Sequence, residues 1–194
     1  MNLHTKRLCL RSWRPEDAGD LFRYASDTEV AFAAGWAPLP SEEKAKWFIE
    51  ELLTSWGFFA LELKSQKKVI GCIAVLVGEA SNYHIGENEG ELIYWLGRPY
   101  WRQGIMKEAM EAMIRYCREE LYLEGLWSGC AKENISSQKL QESCGFQYVK
   151  TLPAILSTKR SYTSCSFFIS SQSVPLSCTA FVRVKSSSAV RALH

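Results

Sequence analysis

The chain has 194 residues, of which 47% are hydrophobic and 12% aromatic, and its formal net charge is +2. These values exclude wholesale disorder and give no general electrostatic attraction to nucleic acid or to an anionic membrane. No apolar run is long enough to span a bilayer, and the N-terminal segment lacks the apolar core of a signal peptide. The sequence therefore predicts a soluble, cytoplasmic protein with one sizeable core and no nucleic-acid or membrane partner.

The seven cysteines form no CxxC pair, and an odd number leaves one without a disulfide partner. This pattern predicts reduced thiols better than a disulfide framework or a zinc site. The three histidines, His4, His84 and His194, are scattered along the chain. We therefore expect no metal site.

The first half of the chain predicts strands and amphipathic helices in alternation. Acidic residues after Pro15 mark a helix start, and Ser41 is a good N-cap for a helix that runs to Leu53. The predicted elements are a strand over 8–13, a helix from 14 to about 25, a loop over 34–40, a helix over 41–53, and paired strands over 58–63 and 69–77.

The second half predicts a loop over 78–90 and then a mostly apolar strand over 91–96, as expected of an interior strand. A turn around Gly104 leads into the next helix, and Gly145 closes a later one. The remaining elements are helices over 107–121 and 136–143, a strand over 126–130, and a strand over 146–152 that pairs with 162–170.

The composition changes towards the C-terminus, where no Asp or Glu follows residue 143 and serine is abundant from Ser157 to Ser188. We therefore predict one domain over residues 1–170 and a serine-rich appendage over 171–194. A mobile tail, an extra strand and a region altered from its ancestral sequence all fit the appendage.

The stretch from Tyr94 to Phe146 carries most of the functional information. A strand that enters a helix through a glycine turn leaves unpaired backbone amides at the helix N-terminus, which suits the pyrophosphate of a nucleotide-bearing cofactor. A Rossmann-type nucleotide module is the weaker interpretation, because no GxGxxG follows the first strand and no acidic residue stands at the ribose position.

Two motifs in this stretch resemble those of the GNAT superfamily of N-acetyltransferases, in the same order. The first is Leu96-Gly97-Arg98-Pro99-Tyr100-Trp101-Arg102-Gln103-Gly104-Ile105-Met106, and the second is Asn134-Ile135-Ser136-Ser137 followed by Leu140 and Gly145-Phe146. The N-terminal Thr5-Lys6-Arg7-Leu8 and Arg14-Pro15-Glu16-Asp17-Ala18, with Tyr94-Trp95-Leu96, resemble the ribosomal-protein N-terminal (alanine) acetyltransferase branch. The resemblance covers residues 3 to 170, with Trp101 and Met106 in place of the superfamily's commoner residues.

The resemblance implies an α/β fold: a central twisted, mixed, mostly antiparallel sheet flanked by helices, with a splayed strand pair that holds the cofactor. It implies acetyl-CoA as cosubstrate, without a metal, and direct attack by a primary amine in a ternary complex. The amine is a protein N-terminus or a small molecule. The implied donor-binding residues are Tyr94, Trp95, Leu96, Arg102, Gln103, Gly104, Ile105, Met106, Lys107, Asn134 and Ser137. For Arg102 and Lys107 the alternative is that they are solvated cations, and for Asn134 that it is an ordinary helix cap.

The catalytic groups are less clear from the sequence. Ser137 is the candidate for stabilising the leaving thiolate, and Glu91 is the candidate base, with Glu89 and His84 as alternatives. The tyrosine acid frequent in the superfamily is replaced by Gln141, and the glutamate frequent in protein N-terminal acetyltransferases by Gly129. An acyl-CoA-binding sensor or scaffold without turnover is therefore the alternative function.

Four aromatic residues are predicted to line a pocket for the acceptor amine: Phe32, Trp36, Trp47 and Tyr83. The alternative is that they are core residues. Cys130 and Cys144 have no neighbouring histidine, which argues against a cysteine nucleophile. A homodimer is compatible with the sequence.

Overall fold

The computed structural model describes residues 1–83, 85–153 and 164–170. The helices are α1 (Ala18–Ala25), α2 (Thr28–Ala34), α3 (Glu42–Phe48, continued by a π-helical segment Ile49–Leu53), α4 (Ile105–Glu119) and α5 (Ile135–Ser143). The strands are β1 (Leu3–His4), β2 (Leu8–Arg11), β3 (Phe58–Leu63), β4 (Lys68–Val77), β5 (Glu89–Leu96), β6 (Gly125–Ala131), β7 (Phe146–Pro153) and β8 (Ser164–Ser170).

Local sequence signals explain most helix ends. A 3-10 turn over Pro15–Asp17 leads into α1, and the Ser41 hydroxyl accepts a hydrogen bond from the Lys44 amide at 3.2 Å, as an N-cap does. Helix α2 was not predicted from the sequence, although its caps are conventional: the Asp27 carboxylate accepts from the Glu29 amide, and Gly35 ends the helix at φ 85°.

The strands form one mixed, mostly antiparallel sheet in the order β1-β2-β3-β4-β5-β6-β8-β7. Strands β1 to β4 pair antiparallel with their neighbours, β5 pairs parallel with β6, and β8 pairs antiparallel with both β6 and β7. The mixed α/β fold class predicted from the sequence is confirmed. The predicted pairing of the last two strands is also confirmed, with Phe146 opposite Ser170.

The chain divides into two compact units. Among the described residues, unit 1 contains residues 1–74 and 94–113, and unit 2 contains 75–93 and those from 114 onward. Strands β4 and β5 and helix α4 contribute residues to both.

Unit 1 combines an apolar core with a buried ion cluster. Leu8, Leu10 and Leu61 are fully buried where β2 pairs with β3. Beside them the Arg11 guanidinium donates to both Asp17 carboxylate oxygens at 2.8 Å and to Glu62 at 2.7 Å. This bidentate arrangement satisfies charges that would otherwise be costly to bury.

The predicted boundaries differ from the observed ones by a few residues at most elements. Strand β5 begins at Glu89 rather than Glu91, and α4 spans Ile105–Glu119 rather than 107–121. No helix among the described residues is long and apolar enough to cross a membrane. The appendage predicted over 171–194 lies outside the described residues.

Candidate functional site

The turn that enters α4, over residues 102–107, lies in unit 1 and has an unusual backbone. Arg102 at φ 58° and Gly104 at φ 69° both adopt left-handed conformations, which favour glycine over residues with a Cβ. The first backbone bond of the helix is from the Glu108 amide to the Gly104 carbonyl, at 3.1 Å. Within the described chain, none of the six amides of residues 102–107 donates a hydrogen bond to protein.

The turn carries two basic side chains of its own, Arg102 and Lys107, and a third, Arg7, reaches it from the N-terminal segment. Arg102 is exposed and has no ion pair among the described residues, whereas Lys107 lies 3.9 Å from Glu111. A Cβ at position 104 would meet only Arg7 Nη2, at 3.7 Å. Unbonded amides, a glycine and basic side chains together suit an anion such as a pyrophosphate.

The end of β5 is held within unit 1 by contacts that its sequence did not reveal. The Trp101 indole donates to the Leu96 carbonyl at 2.6 Å, and the Gly97 amide donates to the Ile70 carbonyl at 2.8 Å. A Cβ at Gly71 would lie 2.5 Å from the Trp95 carbonyl oxygen, so only glycine allows this approach. The carbonyls of Trp95 and Leu96 therefore face protein groups. Of the backbone groups predicted to bind a pantetheine arm, these two carbonyls are the less available.

Three tryptophans form an aromatic cluster at this end of β5. The Trp36 ring meets Trp95 edge-on with centroids 5.7 Å apart, and Trp13 lies 6.4 Å from Trp95. Of the aromatics predicted to line an acceptor pocket, Trp36 belongs to this cluster. Phe32 is 64% exposed. The Lys44 ammonium lies over the Trp47 ring, 3.5 Å from its centroid.

In unit 2, β5 and β6 pair only over three positions, from Glu89–Gly125 to Glu91–Trp127. At the next position, the Ser128 hydroxyl donates to the Leu92 carbonyl at 3.0 Å. Ser128 in turn accepts from the Gln141 side-chain amide at 3.0 Å, and both residues are fully buried. The backbone pairing of β5 and β6 is thus followed by a side-chain bridge that Gln141 supports, and the splayed strand pair implied by the family resemblance stays a prediction.

Glu91, the candidate base, is 2% exposed and binds the loop that precedes its strand. Its carboxylate accepts from the Ser81 hydroxyl at 2.9 Å, from the Asn82 amide at 2.7 Å and from the Asn82 side chain at 3.2 Å. Burial raises the pKa of Glu91, and these hydrogen bonds offset only part of that shift. A raised pKa suits a base, but the contacts also make Glu91 the anchor of residues 81–82.

Asn134 caps α5, as the alternative interpretation from the sequence allows. Its side-chain oxygen accepts from the Ser137 amide at 3.1 Å. The Ser137 hydroxyl, in the same helical turn, is half-buried and makes no hydrogen bond within the described chain. It is therefore available to a bound molecule.

The predicted site residues fall in both units. Unit 1 holds Tyr94–Leu96 and Arg102–Lys107, whereas unit 2 holds Glu91, Asn134 and Ser137. Of the two alternative bases, Glu89 accepts from the Gly86 amide at 2.7 Å, and His84 lies outside the described residues. No group of residues within the described chain could hold a metal ion.

The roles of Arg7 and Ser128 were not predicted from the sequence. Arg7 belongs to the N-terminal motif without a role of its own there, and Ser128 is one residue of a short predicted strand. Their partners are 101 and 13 positions away, at Glu108 and Gln141. Side-chain pairs so far apart leave no periodic signal.

Comparison with known proteins gives a consistent result. A model of the acetyltransferase (GNAT) domain matches residues 7–147. A Bacillus licheniformis protein bearing the name "Uncharacterized N-acetyltransferase p20" is 31% identical over 150 residues, which is 75% of this chain and 82% of that protein.

Two solved structures share the fold. A GNAT-family acetyltransferase from Bacillus anthracis matches with a TM-score of 0.76 and 20% identity, covering 87% of this chain and 97% of that one. The ribosomal-protein-S5-alanine acetyltransferase of Vibrio fischeri matches with a TM-score of 0.66 and 16% identity, covering 90% and 100%. At these identities the likeness concerns the fold, and it includes an enzyme of the branch that the sequence resembles.

Proposed function

We propose, from the premise that this chain belongs to the GNAT acetyltransferase family, that it transfers an acetyl group from acetyl-CoA to a primary amine in a ternary complex. The observation that carries the proposal is the set of six amides over residues 102–107 that donate no hydrogen bond to described protein groups. Unsatisfied donors at a helix N-terminus are suited to a pyrophosphate.

The residues fit acetyl-CoA as the cosubstrate. The 102–107 turn would bind the pyrophosphate, and the exposed glycine at φ 69° lets the anion approach without a Cβ in the way. The backbone of residues 94–96 and the Asn134 side chain would contact the pantetheine arm. The Leu96 carbonyl already accepts a hydrogen bond from Trp101, which leaves it one lone pair for that role.

The chemistry needs a proton acceptor for the amine and a group that stabilises the leaving thiolate. We assign the thiolate role to Ser137, whose hydroxyl has no partner among the described residues. We assign the base role to Glu91, whose buried carboxylate would take the proton through the Ser81 hydroxyl or a water. Gln141 takes no part as an acid, because its buried side-chain amide donates to Ser128.

The acceptor is a protein N-terminus or a small amine. The N-terminal motif over residues 5–18 favours a protein N-terminus, because it resembles the ribosomal-protein branch. The half-buried Trp36 ring, which meets the buried Trp95 edge-on, would favour a cationic or apolar acceptor.

The buried Gln141 also favours the second candidate function, an acyl-CoA-binding domain without turnover. Calorimetry with CoA, together with thiol release from acetyl-CoA in the presence of an amine and N-terminal peptide panel, separates the two functions. Binding with turnover supports the enzyme, and micromolar CoA binding without turnover of any amine supports the sensor. Absence of CoA binding would refute both.

Gly104→Val tests the donor site. A β-branched residue at φ 69° costs about 1–3 kcal/mol and changes the turn, so we expect CoA binding to weaken at least about tenfold. Gly35→Val is the matched control, since exposed Gly35 has φ 85° and lies outside the 102–107 turn. The control should lose stability but keep its CoA affinity in calorimetry. Tight CoA binding by Gly104→Val would mean that the turn is not the pyrophosphate site.

Ser137→Ala tests the thiolate role. We expect kcat to fall by about tenfold while the KM for acetyl-CoA stays within about twofold, because a bond made only in the transition state is lost. Ser136→Ala, at the exposed neighbouring position, is the matched control and should have wild-type kinetics. Equal rates for the two variants would remove Ser137 from the mechanism.

A further inference from the structure

We propose that Arg7 is a positioning residue for the 102–107 turn, a role that rests on the proposed function. Arg7 precedes β2 and lies 101 positions before its main partner, Glu108 in the first turn of α4. It is neither in the glycine motif nor on the helix that carries the anion site.

Arg7 bridges the turn and the helix that follows it. Its Nη1 donates to the Gln103 carbonyl at 2.8 Å, and its Nε donates to Glu108 Oε2 at 2.6 Å. The other Glu108 oxygen accepts from the Arg7 backbone amide at 2.7 Å and from the Thr5 hydroxyl at 2.5 Å. The segment over residues 5–7 therefore fixes the Glu108 carboxylate with three donors and the turn with a fourth.

The bond to Gln103 orients an amide of the anion site. The Gln103 carbonyl and the Gly104 N–H belong to one planar trans peptide, so they point in opposite directions. By holding the carbonyl, Arg7 directs the Gly104 N–H away from itself. The turn benefits from such outside support, because within the described chain none of its own backbone amides bonds to protein and two of its residues have positive φ.

Arg7 also offsets a charge that opposes anion binding. The Glu108 carboxylate lies in the first turn of α4, close to where the proposed pyrophosphate binds. Burial raises the pKa of Glu108, but hydrogen bonds from Thr5 and Arg7 and the Arg7 charge outweigh burial and lower it, so the carboxylate is ionised at neutral pH. Without Arg7, this charge would repel the pyrophosphate.

Arg7→Ala tests the proposal, with Lys6→Ala as the matched control, since exposed Lys6 carries the same charge one residue away. The first readout is the ¹⁵N order parameter of the Gly104 amide in the free protein. It should fall from about 0.85 to below about 0.6 in Arg7→Ala and stay unchanged in Lys6→Ala.

The second readout is the donor affinity. We expect Arg7→Ala to raise the Kd for CoA and the KM for acetyl-CoA by about five- to tenfold, with kcat at saturating acetyl-CoA unchanged. The effect is moderate because the Arg7–Glu108 ion pair is partly exposed.

Two further variants separate the contributions of charge and geometry. Adding Glu108→Gln to Arg7→Ala should recover part of the CoA affinity, since it removes the repulsive charge, but not the order parameter. In Arg7→Lys, the Gly104 order parameter and the CoA affinity should not both equal the wild-type values. The lysine ammonium is a point charge and lacks the planar fork that binds two acceptors at once. If Arg7→Ala does not fold, the same two measurements on Arg7→Lys decide whether Arg7 positions the turn.

The outcomes distinguish this inference from the proposed function. An Arg7→Ala order parameter equal to that of Lys6→Ala overturns the positioning role, whether or not CoA binds. A mobile Gly104 with unchanged CoA affinity overturns its relevance to the donor. If the wild type binds no CoA, the proposed function fails and the donor role of Arg7 fails with it, while the order parameter still reports whether Arg7 holds the turn.

Discussion

Two glutamates show how single residues of one type acquire opposite properties from their surroundings. Burial raises the pKa of Glu91, whereas around Glu108 the donors from Thr5 and Arg7 outweigh burial and lower it. The contribution of Glu91 to stability is complete below the ordinary glutamate pKa of about 4.3 and is lost as the pH rises through its raised pKa. The contribution of Glu108 is complete above that ordinary value and is lost as the pH falls through its lowered pKa.

Urea unfolding between about pH 3 and 8 tests this contrast. The free energy of unfolding of the wild type, relative to Glu91→Gln, should decline as the pH rises, because the charged form of Glu91 is disfavoured by burial. Relative to Glu108→Gln, it should decline as the pH falls. Parallel trends for the two variants would contradict the assigned environments.

At the scale of elements, a side chain of α5 extends the connection between β5 and β6 in unit 2. The Gln141 side-chain amide donates to Ser128, and Ser128 donates to the Leu92 carbonyl just beyond the last paired position. The residue found where the resemblance implies a tyrosine acid is therefore buried and hydrogen-bonded to protein in this chain. These contacts support the proposal that Gln141 takes no part in the reaction.

Gln141→Tyr would restore the frequent residue, but we expect no gain in turnover. The larger ring must enter a fully buried position, which costs about 1–3 kcal/mol, and Ser128 loses its donor. Gln138→Tyr, at a half-buried position of the same helix, is the control and should be nearly neutral in urea unfolding. Increased thiol release by Gln141→Tyr would show that the position still faces the reacting groups.

At the scale of the whole molecule, the position of the proposed anion site follows from strand direction. The parallel strands β5 and β6 cannot be joined by a tight turn, so the chain crosses through α4. The N-terminus of α4 consequently follows the C-terminal end of β5, where unbonded amides and a glycine occur together.

Much of this architecture was predictable because its signals are local. Ser41 as an N-cap, the turn around Gly104 and Gly145 after α5 each depend on a few neighbouring residues, and the structure confirms all three. Helix α2 was missed because its seven residues are too few for a convincing apolar period. The assignment of catalytic and donor-binding residues stays a prediction until CoA binding is measured.

Periodicity, caps and glycine turns act over short distances, so the strand–turn–helix unit, the order of most elements and the resemblance to GNAT acetyltransferases were predictable from the chain alone. Three contacts follow only from the folded chain: Trp101 donates to the Leu96 carbonyl, Gln141 donates to Ser128, and Arg7 binds both Gln103 and Glu108. The contacts of Gln141 and Arg7 depend on which faces of separate segments meet once the core is packed. The contact between Trp101 and the Leu96 carbonyl depends on how the chain turns back after β5. No spacing along the chain specifies these contacts, so the sequence indicates an anion-binding turn, while its supporting residues follow from the folded chain.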